Sequence, residues 1–433
     1  MAKDMMKEIA SLCGRRGFIY QSSEIYGGLA SCWDYGPLGV ELKNNIKDAW
    51  WRAVVRLRDD VVGVDTSILM HPDVWVASGH VGAFHDMLVD CLGCKGRFRV
   101  DHIEGGKCPT CGGKEFTEPQ KFQLMFKTRA GASEATALDV YLRPETAQGI
   151  FADFKLIQKT SRLKVPFGIA QIGKSFRNEV TTKSFIFRSR EFEQMEMEFF
   201  VKPGTDQQWF EHWVDARFMW YKSLGINPDK LRLRPHAKEE LAHYALCCTD
   251  VEYEFPFGWG ELEGIANRSD FDLKSHIEHS RKDLSYFDDD TKEKFIPYVI
   301  ETSGGIDRTF LVVLLDAYRE EVVEGEQRVV LGFDKNIAPV KVAVFPLQRD
   351  EKLIGIAQNI YNELRGFMNC FYDQSGNIGR RYRRQDEIGT PYCLTVDFDT
   401  LEDKAVTVRD RDTMGQVRVK IADLKSRFLE EFA

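Results

Sequence analysis

With 433 residues, 43% of them hydrophobic and 29% charged, the chain has the make-up of a globular protein of two or three domains. Its formal net charge of −8 excludes a wholly cationic nucleic-acid binder but leaves room for a local basic patch, because phosphate binding depends on nearby charge. The amino-terminal MAKDMMKEIASLCGRRG carries acidic residues, and no stretch approaches the roughly 20 apolar residues that span a bilayer; neither a signal peptide nor a membrane anchor is expected.

The first segment, RGFIYQSSEIYGGLASCWDYGPLG, is punctuated by aromatics and glycines. A helix is expected from about Pro37, with Leu38, Leu42, Ile46 and Trp50 at helical spacing and the proline in its first turn. Residues 88–118, rich in Gly, Cys and charge, read as a small insertion. A strand over Val140–Arg143, a helix opening near Thr146 and a strand from Pro166 follow. Paired strands are expected over 167–178 and 188–200, around the loop EVTTKSFIF. A helix over Asp206–Leu224 places Trp209, Trp213, Phe218 and Trp220 on its buried side. Strands recur at TDVEYEFPF, GWGELEGIANRSDFDL and FIPYVIETSGG, the last leading into the helix IDRTFLVVLLDAYREE.

Strands joined by hairpins and helices without regular βαβ alternation predict an α+β fold on an antiparallel sheet. Beyond Lys335-Asn336 the pattern changes. KVAVFPL, a helix from about Asp350, MNCFYD, a helix over GRRYRRQDE, YCLTVDF and AVTVRDRD alternate in βα fashion. A boundary near Ala338 divides the chain into 1–337 and 338–433.

Within SFRNEVTTKSFIFRSREFEQMEMEFF, residues two apart share a strand face. Arg177 and Glu179 fall together, as do Arg190, Phe192, Glu196 and Glu198. Arginine's planar fork suits phosphate and carboxylate oxygens, and a glutamate beside it suits an ammonium. A solvated hairpin with cross-strand ion pairs is the plain alternative. Against it, these charges sit among large apolar residues, and a second charged element follows. In ETSGGIDRTFLVVLLDAY two glycines open a helix whose first turn carries Arg308, an arrangement that favours anions.

FRNE, a basic loop and REFEQMEMEFF, followed by GGIDRTFLVVL, resemble motifs 2 and 3 of class II aminoacyl-tRNA synthetases. YGPLGVELKNNI resembles the dimer-forming motif 1. RGFIYQSSEIYGGLASCWDYGPLG, YLRPETAQGIF, GELEGIANRSDFDL and VIETSGGIDR resemble the homodimeric glycyl-tRNA synthetase family, from about Phe18 to the C-terminus. The resemblance implies a class II catalytic unit and an α/β anticodon-binding domain. It implies activation of glycine with ATP and Mg²⁺, then transfer to the 3′ end of tRNA(Gly), in a cytoplasmic homodimer.

By this resemblance Arg177 bridges the α-phosphate and the amino-acid carboxylate, and Arg308 holds the γ-phosphate. Asn178 and Glu179 belong to the same ATP-contacting stretch. Phe187, Arg188, Ser189, Arg190, Glu191 and Phe192 line ATP, with Phe192 on the adenine. Glu261 and Leu262 fall where ATP and its Mg²⁺ are contacted, and Gly305, Ile306 and Asp307 lead to Arg308. The glycine side would draw on Arg99, Glu145, Glu196, Arg268, Glu301 and Ser303. Phe192, Glu193, Gln194, Met195, Thr302, Gly304 and Gly305 complete these stretches. Strand parity favours Glu196 over Glu193. Each residue also has an ordinary reading as an ion pair, core aromatic or cap.

Cys91-x₂-Cys94 and Cys108-x₂-Cys111 read as a zinc-ribbon-like knuckle pair offering four thiolates to a structural Zn²⁺. The six other cysteines are scattered, as expected of a reducing cytosol. In GNIGRRYRRQDE, Arg380, Arg381, Arg383 and Arg384 surround Tyr382. Such a run can grip a phosphate backbone and stack on a base, or it can be a solvated helix face. Its place in an anticodon-binding-like module favours tRNA. The rivals are a class II enzyme for another amino acid and a non-catalytic relative that binds RNA or a polymerase. RPETAQG and the pocket glutamates oppose the first; Arg177 and Arg308 oppose the second.

Overall fold

The structure is a computed structural model and describes residues 4–133, 135–180, 184–242, 244–323 and 325–432. The middle of the hairpin loop, 181–183, lies outside the described residues.

Seven strands form the main sheet, in the order Leu231–Pro235, Cys247–Phe255, Gly258–Ser269, Tyr298–Gly305, Glu191–Val201, Phe167–Phe176 and Val61–Gly63. All neighbours run antiparallel except Val61–Gly63, which lies parallel to Phe167–Phe176. Alternation along Glu191–Val201 explains the layering. Met195, Met197 and Phe199 enter a core with Leu42, Ile46 and Trp50 of helix Pro37–Trp51, Trp213 of helix Asp206–Ser223 and Phe310 of helix Ile306–Ala317. Helix Pro37–Trp51 approaches so closely that a Cβ at Gly39 would lie 1.8 Å from the Phe18 carbonyl oxygen. Only glycine fits there.

The opposite face is divided. At one end Phe167, Ile169 and Phe200 pack under Ile150, Phe151 and Phe154 of helix Ala147–Thr160 and Leu273 of helix Phe271–Ser280. Its other end, with Gln194, Glu196 and Ser303, forms the cleft described below.

Residues 85–123 carry a small sheet ordered Arg97–Arg99, His85–Asp90, Gln120–Gln123. A second large sheet is ordered Cys370–Tyr372, Val342–Pro346, Tyr392–Val396, Ala405–Asp410 and Gln416–Lys420. Its first three strands are parallel and the rest antiparallel. It has its own core, in which Val342, Val344, Leu394 and Val396 meet Leu353, Ala357 and Ile360 of helix Glu351–Leu364. Asp350 caps that helix by accepting from the N–H groups of Lys352 and Leu353. Among the described residues no helix is long and apolar enough to cross a membrane.

Several boundaries differ from those read in the sequence. The hairpin strands stop at Phe176 and start again at Glu191, although Arg177 N–H still donates to the Arg190 carbonyl at 2.9 Å. The expected strand 140–143 is Leu138–Tyr141. SDFDL leaves the sheet and opens helix Phe271–Ser280. The helix from Ile306 ends at Ala317, and YREEVV pairs with Glu326–Leu331 as a hairpin; the Val-Val pairs on either side of Gly325 were its signal. On helix Asp206–Ser223, Trp213 and Trp220 are buried with Phe210, Val214, Arg217 and Tyr221, while Trp209 and Phe218 are half-buried.

Candidate active site

Two cavities open on the divided face and meet. One, of about 140 Å³, is lined by Arg177, Glu179, Ile186, Phe187, Arg188, Ser189, Phe192, Leu262, Gly304, Gly305, Asp307 and Arg308. The other, of about 240 Å³, is lined by Glu145, Glu196, His236, Tyr244, Cys248, Asp250 and Glu301 among others. Arg177, Gln194, Glu261 and Ser303 belong to both, so the two form one cleft with Arg177 at the junction.

The first half is basic. Arg177 donates to the Pro144 carbonyl at 3.1 Å, and its guanidinium lies 5.4 Å from the Phe192 ring centre. Among the described residues no carboxylate stands within ion-pair distance of it. Arg308 lies over the Phe187 ring, donates to the Phe187 and Glu261 carbonyls at 3.2 and 3.0 Å, and pairs with the Glu261 carboxylate at 3.2 Å. Glu261 is exposed, and the Arg308 guanidinium beside it holds its carboxyl below the usual carboxylate range.

The second half is acidic. Glu196 accepts from Thr146 N–H at 2.9 Å, from the Thr146 hydroxyl, and from Ser303 Oγ at 2.8 Å. It thus sits at the start of helix Ala147–Thr160, where a carboxylate is favoured. Arg268 makes four hydrogen bonds: Nε and Nη2 donate to Asp272 at 2.7 and 2.8 Å, and Nη1 donates to both Glu301 oxygens at 3.1 Å. Burial raises the Glu145 carboxyl, but His80, 3.3 Å away, and Arg268 prevail and keep it ionised. Burial, with the charges of Glu196 and Glu145, pushes Glu301 up to about 8 against the pull of Arg268. Burial and the Glu145 charge raise Glu196.

Several predicted residues lie elsewhere. Glu193, Met195 and Thr302 occupy the other strand parity and face the apolar layer, so they are corrected as glycine-side residues. Glu193 pairs with Lys43 at 2.7 Å and Lys47 at 2.8 Å, and Met195 joins the core. Thr302 is buried with its hydroxyl unpartnered among the described residues. Ile306 is also core, and Glu191 pairs with Lys174 outside the cleft. Asp307 reaches the cleft wall but is held by Lys43 and the Tyr35 hydroxyl. Asn178 donates through its backbone to Leu124 at 2.7 Å, and Arg190 donates to the Glu179 and Ala30 carbonyls. Arg99 pairs with Asp86 and Asp101 and lines neither half. Arg268 acts from behind, through Glu301.

Thr146, His80, Tyr244 and the trio His236, Cys248 and Asp250 escaped the sequence reading. His236 Nε2 and Asp250 Oδ2 are 2.7 Å apart. Thr146, adjacent to Glu145 in RPETAQ, was the one with a local signal.

The four knuckle cysteines converge as their spacing predicted. Their Sγ atoms all lie within 4.8 Å of one another, with Cys91–Cys111 and Cys94–Cys108 each at 3.6 Å and no disulfide. Tetrahedral Zn–S bonds of about 2.3 Å place sulfurs roughly 3.8 Å apart, so the donor set fits Zn²⁺.

On helix Ile378–Ile388 only part of the basic run is available. Arg381 is buried and donates to the Pro346, Leu347 and Asp373 carbonyls. Tyr382 turns to the sheet, against Phe345, with its hydroxyl 2.6 Å from Thr395 Oγ1. Arg384 pairs with Asp373. Arg381 and Tyr382 are therefore corrected as nucleic-acid contacts. Arg380 is exposed, Arg383 half-buried, and neither meets a carboxylate among the described residues.

An antiparallel sheet carrying a charged hairpin beside a glycine-led helix is the frame of the class II synthetases. Residues 126–318 match the tRNA synthetase class II core domain (G, H, P, S and T), and 341–431 match the anticodon binding domain. The chain is 58% identical to the glycine–tRNA ligase of Acetivibrio thermocellus, covering 99% of each protein. It is 54% identical to those of Ruminiclostridium cellulolyticum (100% of this chain, 99% of that protein) and Treponema denticola (99% and 97%). The chain belongs to the glycine–tRNA ligase family.

Proposed function

We propose that the protein is a glycine–tRNA ligase in which the basic half of the cleft holds ATP, the acidic half holds glycine, and Arg177 joins them. The observation that carries this reading is the position of Arg177, where the halves meet, with no carboxylate at ion-pair distance among the described residues. A planar guanidinium there spans the α-phosphate and the glycine carboxylate at once. A glycine carboxylate oxygen attacks the α-phosphorus in line, the bond to the pyrophosphate oxygen breaks, and pyrophosphate leaves. The 3′-terminal hydroxyl of tRNA(Gly) then attacks the glycyl carbonyl and AMP departs. The protein's part is placement and charge stabilisation, so no nucleophile–base pair is needed.

Arg308 takes the γ-phosphate and Phe192 the adenine face. Glu145, Glu196 and Glu301, with Ser303, receive the ammonium. Mg²⁺, when bound with ATP, neutralises phosphate charge, and the exposed, ionised Glu261 is the hard oxygen donor available at that edge. Glycine has no side chain to grip, so selection rests on excluding a methyl group.

Around this core we place a structural Zn²⁺ on Cys91, Cys94, Cys108 and Cys111. Anticodon-stem phosphates are assigned to Arg380 and Arg383. Homodimerisation through the N-terminal elements, a division of the chain at 337/338 and a cytoplasmic location complete the reading.

Glycine-dependent ATP–pyrophosphate exchange, run with each of the twenty amino acids, tests it. Exchange with glycine alone is expected. Exchange with another amino acid would overturn the pocket, and no exchange by folded protein would favour the non-catalytic reading.

A further inference from the structure

Directly behind the acidic half lies a carboxyl with no role so far. Glu198 is completely buried, and among the described residues neither of its oxygens has a hydrogen-bond partner. It stands opposite Glu301 in the strand register and two residues from Glu196, on the same face. One carboxylate oxygen from each of the three lies within 4.8 Å of the others.

The charges around it come from every packed element. Its own strand supplies Glu196, strand Tyr298–Gly305 supplies Glu301, and strand Gly258–Ser269 supplies Arg268. Helix Phe271–Ser280 supplies Asp272 with His276 beyond it, and Glu145 stands at the start of helix Ala147–Thr160. Burial depresses the proton affinity of His276, so it adds no charge near neutral pH. Arg268 is the cation among them, and the hydrogen bonds it makes go to Asp272 and Glu301, with none to Glu198. An ionised Glu198 would be a bare charge without a single donor, which a protein interior does not tolerate. As a neutral acid it has an O–H whose nearest carboxylate acceptors are Glu301 and Glu196.

We infer that Glu198 is a positioning residue, a neutral carboxylic acid under the floor of the pocket that steadies Glu301 and Glu196 and leaves their outward lone pairs to the glycine ammonium. This rests on the glycine reading above and deepens it. Burial and the Glu301 charge both raise its proton affinity, in agreement with the geometry. A leucine would fill the same space with no donor, so the acid acts through its proton.

The test compares full-length Glu198→Gln, Glu198→Leu and Glu301→Gln, each checked for folding by thermal melting, with glycine KM and kcat from pyrophosphate exchange. Glutamine keeps the shape, the neutrality and a donor, so E198Q should retain glycine KM within about threefold, whereas E198L should raise it about tenfold or more with ATP KM unchanged. The infrared carbonyl absorption of protonated carboxyls should be weaker in E198Q than in wild type, with Glu301 supplying what remains near neutral pH, and equal absorption in the two would overturn the inference. Glycine activation lost in E198Q as deeply as in E301Q would overturn the inference by making Glu198 a charged ligand. A normal glycine KM in E198L would overturn it by showing that the proton does nothing. A normal glycine KM in E301Q would instead bring down the glycine pocket itself, and this inference with it.

Discussion

Two regions are built from the same residue types and do opposite things with them. Against the C-terminal sheet, Asp386 of helix Ile378–Ile388 is fully buried and receives Arg328 of strand Glu326–Leu331 at 2.8 Å and Arg409 of the sheet at 2.9 and 3.2 Å, while Arg381 gives Nη1 and Nη2 to three carbonyls. Around Asp386 the arginine donors find acceptors inside the protein and the cluster is a clamp, while Arg381 Nε is buried without a partner among the described residues. In the cleft Arg177 keeps one carbonyl contact and meets no carboxylate at ion-pair distance among the described residues. Charges that the fold has satisfied hold the fold; charges it has left open are available to something else.

Breaking the clamp should have the largest effect on stability. Asp386→Asn leaves two buried arginines short of charge and should lower unfolding free energy by about 3–5 kcal/mol, read by urea denaturation. Breaking the open side should spare the fold and remove the chemistry. Arg177→Ala is expected to cut the glycine-dependent exchange rate by about 10²–10³-fold with an unchanged melting temperature.

A smaller effect sharpens the contrast through pH. Glu198 and Glu301 are raised in the folded state, Glu301 from 4.5 to about 8. Their stabilising contribution is complete below about pH 4.5 and is lost as pH rises through the folded value. The stability gain of Glu198→Gln over wild type should therefore grow from pH 5 to pH 8 in paired melts. Glu145 is shifted the other way, so its stabilising contribution is present above its ordinary range and is lost only as pH falls through the lowered value. The smallest change concerns tRNA. Arg380→Ala should weaken tRNA binding a few-fold and reduce its salt dependence by about one ion, without touching pyrophosphate exchange.

Much of this was legible because it depends on local period. Parity along Glu191–Val201 separated Glu196 from Glu193, and the cysteine spacing gathered four thiols. The same rule shows where reading contiguous motifs as contiguous sites fails: Met195, Thr302 and Ile306 belong to the motifs but face the core. Other partners could not be read, because only the fold brings them together. Glu193 and Lys43 meet across some 150 residues of chain, and Thr146 meets Glu196 across 50. The arginines of helix Ile378–Ile388 look alike in sequence; helix rotation against the sheet decides that Arg381 is spent and Arg380 is free.

The link from Lys43 to Glu193 and Asp307 bears on what counts as the working unit. The matched class II core begins at residue 126, yet the back of its cleft is fastened by Lys43 and Tyr35. A chain trimmed to the core would keep every residue assigned to ATP or glycine and lose the bolt behind the wall. Glu193 and Asp307 would then repel each other just where Arg308 enters its helix, and the wall would have no reason to stay in place. Helix Pro37–Trp51 and the Tyr35 before it are thus part of the working cleft, although neither lines it.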